Sequence, residues 1–149
     1  MAPAEVHIHT AIYQRRPDVN SAAHLHSPAV IALSVTGKNF IPVIYRGYMF
    51  AAGVPFYDDS RTVSSLNDGK VLAETLGQRQ AVIMRGHGSV VVADTLQALL
   101  YYSLSLELNA RNQLAAYQAG VTPLPLQQEE IEEGHRHFGQ KSFEKAWQY

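Results

Sequence analysis

The stretch QAVIMRGHGSVVV, residues 80–92, contains two apolar segments on either side of a Gly-His-Gly sequence. Residues 80–85 form a segment of strand length with the continuous apolar run AVIM at its centre, and residues 89–92 form a second such segment with the run VVV. Short apolar runs bounded by glycine are typical of buried strands. We therefore predict two strand segments in the core, with His87 between them.

A third strand is predicted upstream, at residues 21–25, where a short apolar run is bounded by turn residues. The sequence His24-Leu25-His26 lies at its end. Side chains two positions apart on a strand point to the same face, so the two imidazoles lie side by side while Leu25 points away. This pair is able to chelate a metal ion. The alternative is that two surface histidines stand two positions apart by chance.

His87 adds a third imidazole to this pair. Its glycine neighbours allow a backbone or a ligand to approach closely. Three neutral imidazoles suit zinc, manganese or iron, and three protein ligands leave one coordination position open for a substrate. The chain has no cysteine, so any metal must be held by nitrogen and oxygen. The alternative for His87 alone is a loop histidine that its glycine neighbours make tolerable.

Two amphipathic helices are predicted at residues 5–15 and 96–119, the second after a cap at Asp94 or Thr95. The faces that we expect to be buried consist of Val6, His9, Ile12 and Tyr13 in the first helix, and of Leu99, Leu100, Leu104, Leu106, Leu114 and Tyr117 in the second.

Shorter helices are predicted from Pro28 to Val35, and from a cap at Asn67 or Asp68 through Leu76. Residues 38–65 are rich in aromatic residues, glycine and proline, and predict loops and edge strands, with an extended stretch at 41–45. Residues 127–149 predict a charged helical tail.

Composition limits the possible functions. The 149 residues are 46% hydrophobic, which predicts one globular domain over residues 1–149. A net charge of −1 gives no electrostatic reason to expect nucleic acid or an anionic membrane as a partner. The chain has no apolar run of about 18 residues and no apolar segment of a signal peptide near its start. We expect a cytoplasmic protein with a small-molecule substrate.

Four parts of the chain, taken in order, resemble the class II aldolase/adducin family: Glu5, residues 16–20 (RPDVN), residues 24–28 (HLHSP) and residues 85–88 (RGHG). The likeness extends to about Gly120. It implies an α/β fold of three α/β/α layers with a central, mainly antiparallel sheet. Members are usually homotetramers with active sites at subunit interfaces, so we expect a homo-oligomer.

The same resemblance assigns roles to individual residues. By position, His24, His26 and His87 match the metal-binding histidines of the family, which implies one divalent metal ion, zinc or manganese, as cofactor. Glu5 matches the catalytic acid/base glutamate. The chain is thus expected to be a metal-dependent lyase that breaks a carbon–carbon bond through a metal-stabilised enolate.

Within the family, Pro3 and Ala4 stand where the sugar-phosphate members have two serines that bind phosphate. Residues 72–87, 107–111 and 146–149 look more like the decarboxylase branch. A non-phosphorylated hydroxy-aromatic or related carboxylate is therefore the expected substrate, and Arg85 is expected to pair with its carboxylate. Because the chain begins almost at Glu5, we also expect it to lack the N-terminal part of the family domain.

Three alternatives stay open at this point. One is a class II sugar-phosphate aldolase or epimerase. Another is a non-catalytic interaction module of the adducin kind, which is not expected to keep the metal histidines. The third is a cupin-like barrel, which also uses His-x-His but should have a glutamate a few residues later, and residues 27–35 contain none.

Overall fold

The structure, a computed structural model, describes residues 5–148. Pro3, Ala4 and Tyr149 lie outside the described residues. The described elements follow one another in the order α1 (Val6–Arg15), β1 (Ser21–Leu25), α2 (Pro28–Ser34), a 3₁₀ helix (Tyr45–Phe50), β2 (Phe56–Tyr57), α3 (Leu66–Leu76), β3 (Ala81–Met84), β4 (Gly88–Ala93), α4 (Leu96–Gln118), α5 (Gln128–His137) and α6 (Gln140–Trp147).

The four strands form one sheet in the order β1-β4-β3-β2. β4 pairs antiparallel with β1 on one side and with β3 on the other, whereas the short edge strand β2 runs parallel to β3. The register places His24 opposite Val90 and Leu25 opposite Ser89. The expectation of a central, mainly antiparallel sheet is confirmed.

Helices cover both faces of this sheet, and alternate residues of β3 point to opposite layers. Ala81 and Ile83 belong to the core cluster that includes residues of α2 and α4. Val82 and Met84 belong to the second cluster, with residues of α1 and α3. Because both faces of β3 are buried, the strand is apolar at every position instead of alternating. The three-layer α/β/α architecture expected from the sequence is confirmed.

The predicted buried face of α1 was largely wrong. The structure buries Ile8, Ala11 and Ile12, while Tyr13 is 44% exposed. The helix packs closely on α3, where the His7 carbonyl lies so near Gly69 that a β-carbon there would overlap it. Because α1 contacts α3 as well as the sheet, its buried face differs from the one that periodicity alone predicted.

The predicted face of α4 was also partly wrong, because three polar side chains take core positions. Leu104 is 54% exposed, whereas Ser105, Asn109 and Gln113 are buried. The amides of Asn109 and Gln113 hydrogen-bond the backbone of residues 39–44. The extended stretch predicted at residues 41–45 consequently pairs with no described strand, since these side chains supply the hydrogen bonds that a ladder would provide.

The ends of the helices show which of the predicted capping residues are correct. Thr95 caps α4 by accepting a hydrogen bond from the Ala98 N–H at 3.2 Å, which confirms one of the two predicted caps. α3 is capped by Ser65, so the expected cap at Asn67 or Asp68 was wrong. The tail consists of two helices with Phe138 and Gly139 between them.

Candidate metal centre

Four polar side chains from three separate parts of the chain meet at one end of the sheet. His24 is the fourth residue of β1, His26 follows that strand, His87 lies in the turn between β3 and β4, and Glu5 precedes α1. The ring centroids of His24 and His26 are 4.8 Å apart, and His87 lies 5.1 Å from both. One ligand atom from each of the four residues lies within 4.8 Å of the others.

Hydrogen bonds from the backbone orient two of the rings. His24 Nδ1 is 3.1 Å from the Ser89 carbonyl oxygen, and His87 Nδ1 is 3.2 Å from the Arg61 carbonyl oxygen. A carbonyl can only accept, so Nδ1 is the donor in each ring, and in the neutral imidazole Nε2 is then the nitrogen that has a free lone pair. Both lone pairs belong to the nitrogens that approach Glu5. This arrangement is typical of metal-binding histidines.

Two glycines make the turn and its contacts possible. Gly86 has φ +66°, a left-handed conformation that side chains with a β-carbon rarely adopt. At Gly88 a β-carbon would overlap the Leu25 carbonyl and lie 3.0 Å from Cδ2 of His26. The glycines on either side of His87 thus let β4 approach β1 and leave room for the His26 ring.

Glu5 faces two of the histidines from the start of α1. Its Oε2 lies 3.1 Å from His24 Nε2, and its Oε1 lies 3.5 Å from His87 Nε2. The Val63 N–H donates a hydrogen bond to Oε1 at 3.4 Å. The carboxylate is therefore placed within reach of any group that binds among the imidazoles.

The donor set fits a divalent cation. His24 Nε2 and His26 Nε2 are 3.0 Å apart. Two nitrogens that ligate one tetrahedral zinc at its usual bond length are separated by about 3.3 Å. Three imidazoles and a carboxylate are ligands that zinc and manganese both accept. The residues present thus have the spacing and the chemistry to hold such an ion.

The surroundings of His24 favour its neutral form. Burial lowers the pKa of His24 below its usual value, and this effect exceeds the opposing one of the Glu5 carboxylate. A neutral imidazole is the form that ligates a metal, so less proton competition is expected at this position.

Arg85 is close to His87 in the sequence, but its side chain pairs with Asp58. Its guanidinium forms an ion pair with Asp58, and its side chain is half exposed. Asp58 is mostly exposed, so the pair is open to exchange with a substrate carboxylate. The proposed contact between Arg85 and substrate stays a prediction.

Sequence reasoning did not identify the segment that forms one side of this cluster. The Arg61 carbonyl and the Val63 N–H contact His87 and Glu5, respectively. Both are backbone groups, which every residue except proline possesses, so no residue type at these positions signals the contact. Only the path of the chain after β2 reveals them.

Comparison with known proteins agrees with the fold. Residues 1–114 match the family described as Class II Aldolase and Adducin N-terminal domain. The chain is 35% identical over 126 residues to a 3,4-dihydroxyphthalate decarboxylase of Rhodococcus jostii, covering 80% of this chain and 51% of that protein. It is 30% identical to beta-adducin of Rattus norvegicus over 86% of this chain and 18% of that protein.

Among solved structures, an aldolase II superfamily protein from Pseudomonas syringae superposes with a TM-score of 0.81 at 22% identity. The match covers 97% of this chain and 59% of that one. At this identity the likeness concerns the fold alone. The chain spans about half the length of the Rhodococcus decarboxylase.

No helix within residues 5–148 is both long and apolar enough to cross a membrane. The family match covers more than half of the sequence, and the confirmed architecture is the one that the motifs implied. The chain therefore belongs to the class II aldolase and adducin family.

Proposed function

We propose that this chain is a divalent-metal-dependent carbon–carbon lyase that decarboxylates a non-phosphorylated hydroxy-aromatic carboxylate. The observation that carries the proposal is the convergence of three imidazoles and one carboxylate, with the Nε2 atoms of His24 and His87 directed at Glu5. A structural role alone would not require three imidazoles and a carboxylate to converge on one point.

In this proposal His24, His26 and His87 hold the metal, and Glu5 handles the proton. A bound divalent cation would supply Lewis-acid chemistry by withdrawing electron density from substrate oxygens. When the bond between the ring and its carboxylate breaks, carbon dioxide leaves and the electron pair stays on the ring carbon. Glu5 in its protonated form then delivers a proton to that carbon.

The substrate class rests on sequence and on the relatives. Pro3 and Ala4 offer no side-chain hydrogen bond where sugar-phosphate members bind phosphate. Relatives from Rhodococcus jostii and Arthrobacter keyseri are named 3,4-dihydroxyphthalate decarboxylases. Arg85 would pair with a substrate carboxylate after exchange with Asp58. A homotetrameric assembly is part of the same proposal.

A sugar-phosphate aldolase or epimerase is the second candidate. It is favoured by the likeness to a structure named L-fuculose-1-phosphate aldolase from Thermus thermophilus, at 27% identity and a TM-score of 0.66. A non-catalytic module of the adducin kind is the third, supported by the beta-adducin match. Both are outcomes that the experiment below distinguishes.

The decisive experiment measures metal content and turnover of the purified full chain. Wild type is expected to bind about one divalent ion per chain at the open site, and to release carbon dioxide from dihydroxylated aromatic acids. His24→Ala should lose the metal. Glu5→Gln should retain it and lose turnover by about 10²- to 10⁴-fold, because the proton donor is gone.

His137→Ala is the matched control, since His137 is an exposed histidine outside the cluster and should keep both properties. Tight, phosphate-dependent binding of a sugar phosphate to the metal-loaded protein would replace the decarboxylase proposal with the aldolase. Absence of stoichiometric metal in wild type would leave the adducin-like module.

A further inference from the structure

Helix α2 connects the two halves of the histidine cluster. It begins at Pro28, two residues after His26. At its other end, the buried Ser34 hydroxyl accepts a hydrogen bond from the Gly86 N–H at 2.8 Å and donates to the Ile31 carbonyl at 2.7 Å. The placement of this short helix therefore affects both the His-x-His segment and the turn that carries His87.

The start of α2 is capped by a residue of another helix. Ser27 occupies the N-cap position, but its side chain makes no capping hydrogen bond. Instead, Oε2 of Glu107 in α4 accepts from the Ala29 N–H at 3.0 Å and from the Val30 N–H at 3.3 Å. These are the donors that a local cap would normally satisfy, and a negative charge at a helix N-terminus is favourable.

His26 depends on its backbone more than the other two histidines do. His24 and His87 each have a carbonyl partner for Nδ1. Within residues 5–148, the ring of His26 hydrogen-bonds only to His24, and it is the most exposed member of the cluster. Its direction is consequently set by packing over Gly88 and by the path of the chain into α2.

We propose that Glu107 is a positioning residue of the cluster: by capping α2 from α4, it fixes the direction in which His26 faces. The inference rests on the proposed function, because it assumes that the cluster binds a divalent cation. Glu107 is mostly buried and also forms an ion pair with the exposed Arg111 at 3.1 Å. Within residues 5–148 its hydrogen bonds and ion pair go to Ala29, Val30 and Arg111 and not to the histidines, so its effect is transmitted through the helix.

Cobalt(II) is a suitable probe, because its visible absorption reports the coordination geometry of the bound ion. In the full chain, Glu107→Gln replaces one acceptor oxygen by an NH₂ group that faces backbone donors. We expect cobalt affinity to fall about ten-fold or more, as is typical when a supporting partner of a metal ligand is lost. The absorption bands of the bound ion should change as well.

Thr95→Ala is the matched control, since it removes the N-terminal cap of α4. This cap lies near the start of β1, at the end of the strand away from the histidines. The substitution should lower thermal stability and leave cobalt affinity and spectrum unchanged. Arg111→Ala should also leave both unchanged, because Glu107 keeps its contacts with α2. This pair of controls separates the effect on the site from a general loss of stability.

Wild-type affinity and spectrum in folded Glu107→Gln would overturn the positioning role alone. Failure of wild type to bind cobalt would overturn both this role and the proposed function. If Glu107→Gln does not fold, Glu107→Asp takes its place, because it keeps the charge but shortens the reach by one methylene. It should weaken binding too, and wild-type affinity in that variant would overturn the role equally.

Discussion

Two regions of the molecule are held together in different ways. The β1–β4 ladder, residues 21–25 paired with residues 89–93, is held by regular antiparallel pairing. The segment of residues 39–44 has no strand partner within the described residues and is held by the amides of Asn109 and Gln113. The ladder contains His24, and His26 and His87 lie directly beside its ends, whereas the segment leads into the 3₁₀ helix.

The difference teaches where local patterns suffice. In the ladder, alternation and apolar runs reflect the structure, because each strand buries its side chains on the sheet and bonds its backbone to a neighbour. In the segment, several backbone groups bond to two side chains about 70 residues away in the sequence, and no local pattern encodes that. The following predictions test this contrast.

The largest effect is expected at the close approach within the ladder. Gly88→Ala places a β-carbon against the Leu25 carbonyl and beside the His26 ring. The φ of Gly88 is not in the left-handed region, so the cost is steric and not conformational. We expect a loss of about 3 kcal/mol in the free energy of unfolding, together with weaker metal binding. Chemical denaturation and metal titration would measure both.

Gly139→Ala serves as the control, because a β-carbon there meets nothing within 4 Å. It should change the unfolding free energy by no more than about 0.5 kcal/mol. If Gly88→Ala lost as little unfolding free energy as Gly139→Ala, the ladder would be able to shift and accommodate the β-carbon. The ladder would then not be the more rigidly specified of the two regions.

An intermediate effect is expected in the segment. Asn109→Ala leaves the N–H groups of Val43 and Ile44 and the Ile41 carbonyl without their partner. We expect a loss of about 2 kcal/mol in the free energy of unfolding. Metal affinity should stay at the wild-type level, since these groups do not contact the histidines.

Asn112→Ala is a matched change on the same helix, at an exposed side chain that donates to the Leu108 carbonyl of its own helix. It should have little effect on stability. A large loss of metal affinity in Asn109→Ala, with that of Asn112→Ala unchanged, would mean that the segment and the histidine cluster are coupled.

The smallest effect concerns the cap of α3. Ser65→Ala removes the acceptor for the Asp68 N–H and should cost about 1 kcal/mol in the free energy of unfolding. Asn67→Ala, at an exposed position within the helix, should have almost no effect. Thermal unfolding of the two variants shows which residue caps α3. A larger loss of stability in Asn67→Ala than in Ser65→Ala would support the cap that the sequence suggested.

Much of the fold followed from the sequence. The apolar run before His87, the strand at residues 21–25 and the cap at Thr95 each lie where residue type and spacing predicted them. These features are local, because period-two alternation, apolar runs and capping residues act over a few positions. The sequence also identified the four residues of the cluster, since their types and order matched a family.

Tertiary structure alone decided the rest. The buried faces of α1 and α4, the two-amide support of residues 39–44 and the capping of α2 by Glu107 depend on which elements pack together. The contacts of Arg61 and Val63 with the cluster use backbone groups that carry no residue signature. Sequence therefore specified which side chains could do the chemistry, and only long-range packing determined what holds them in place, because polar backbone groups find partners wherever the folded chain supplies them.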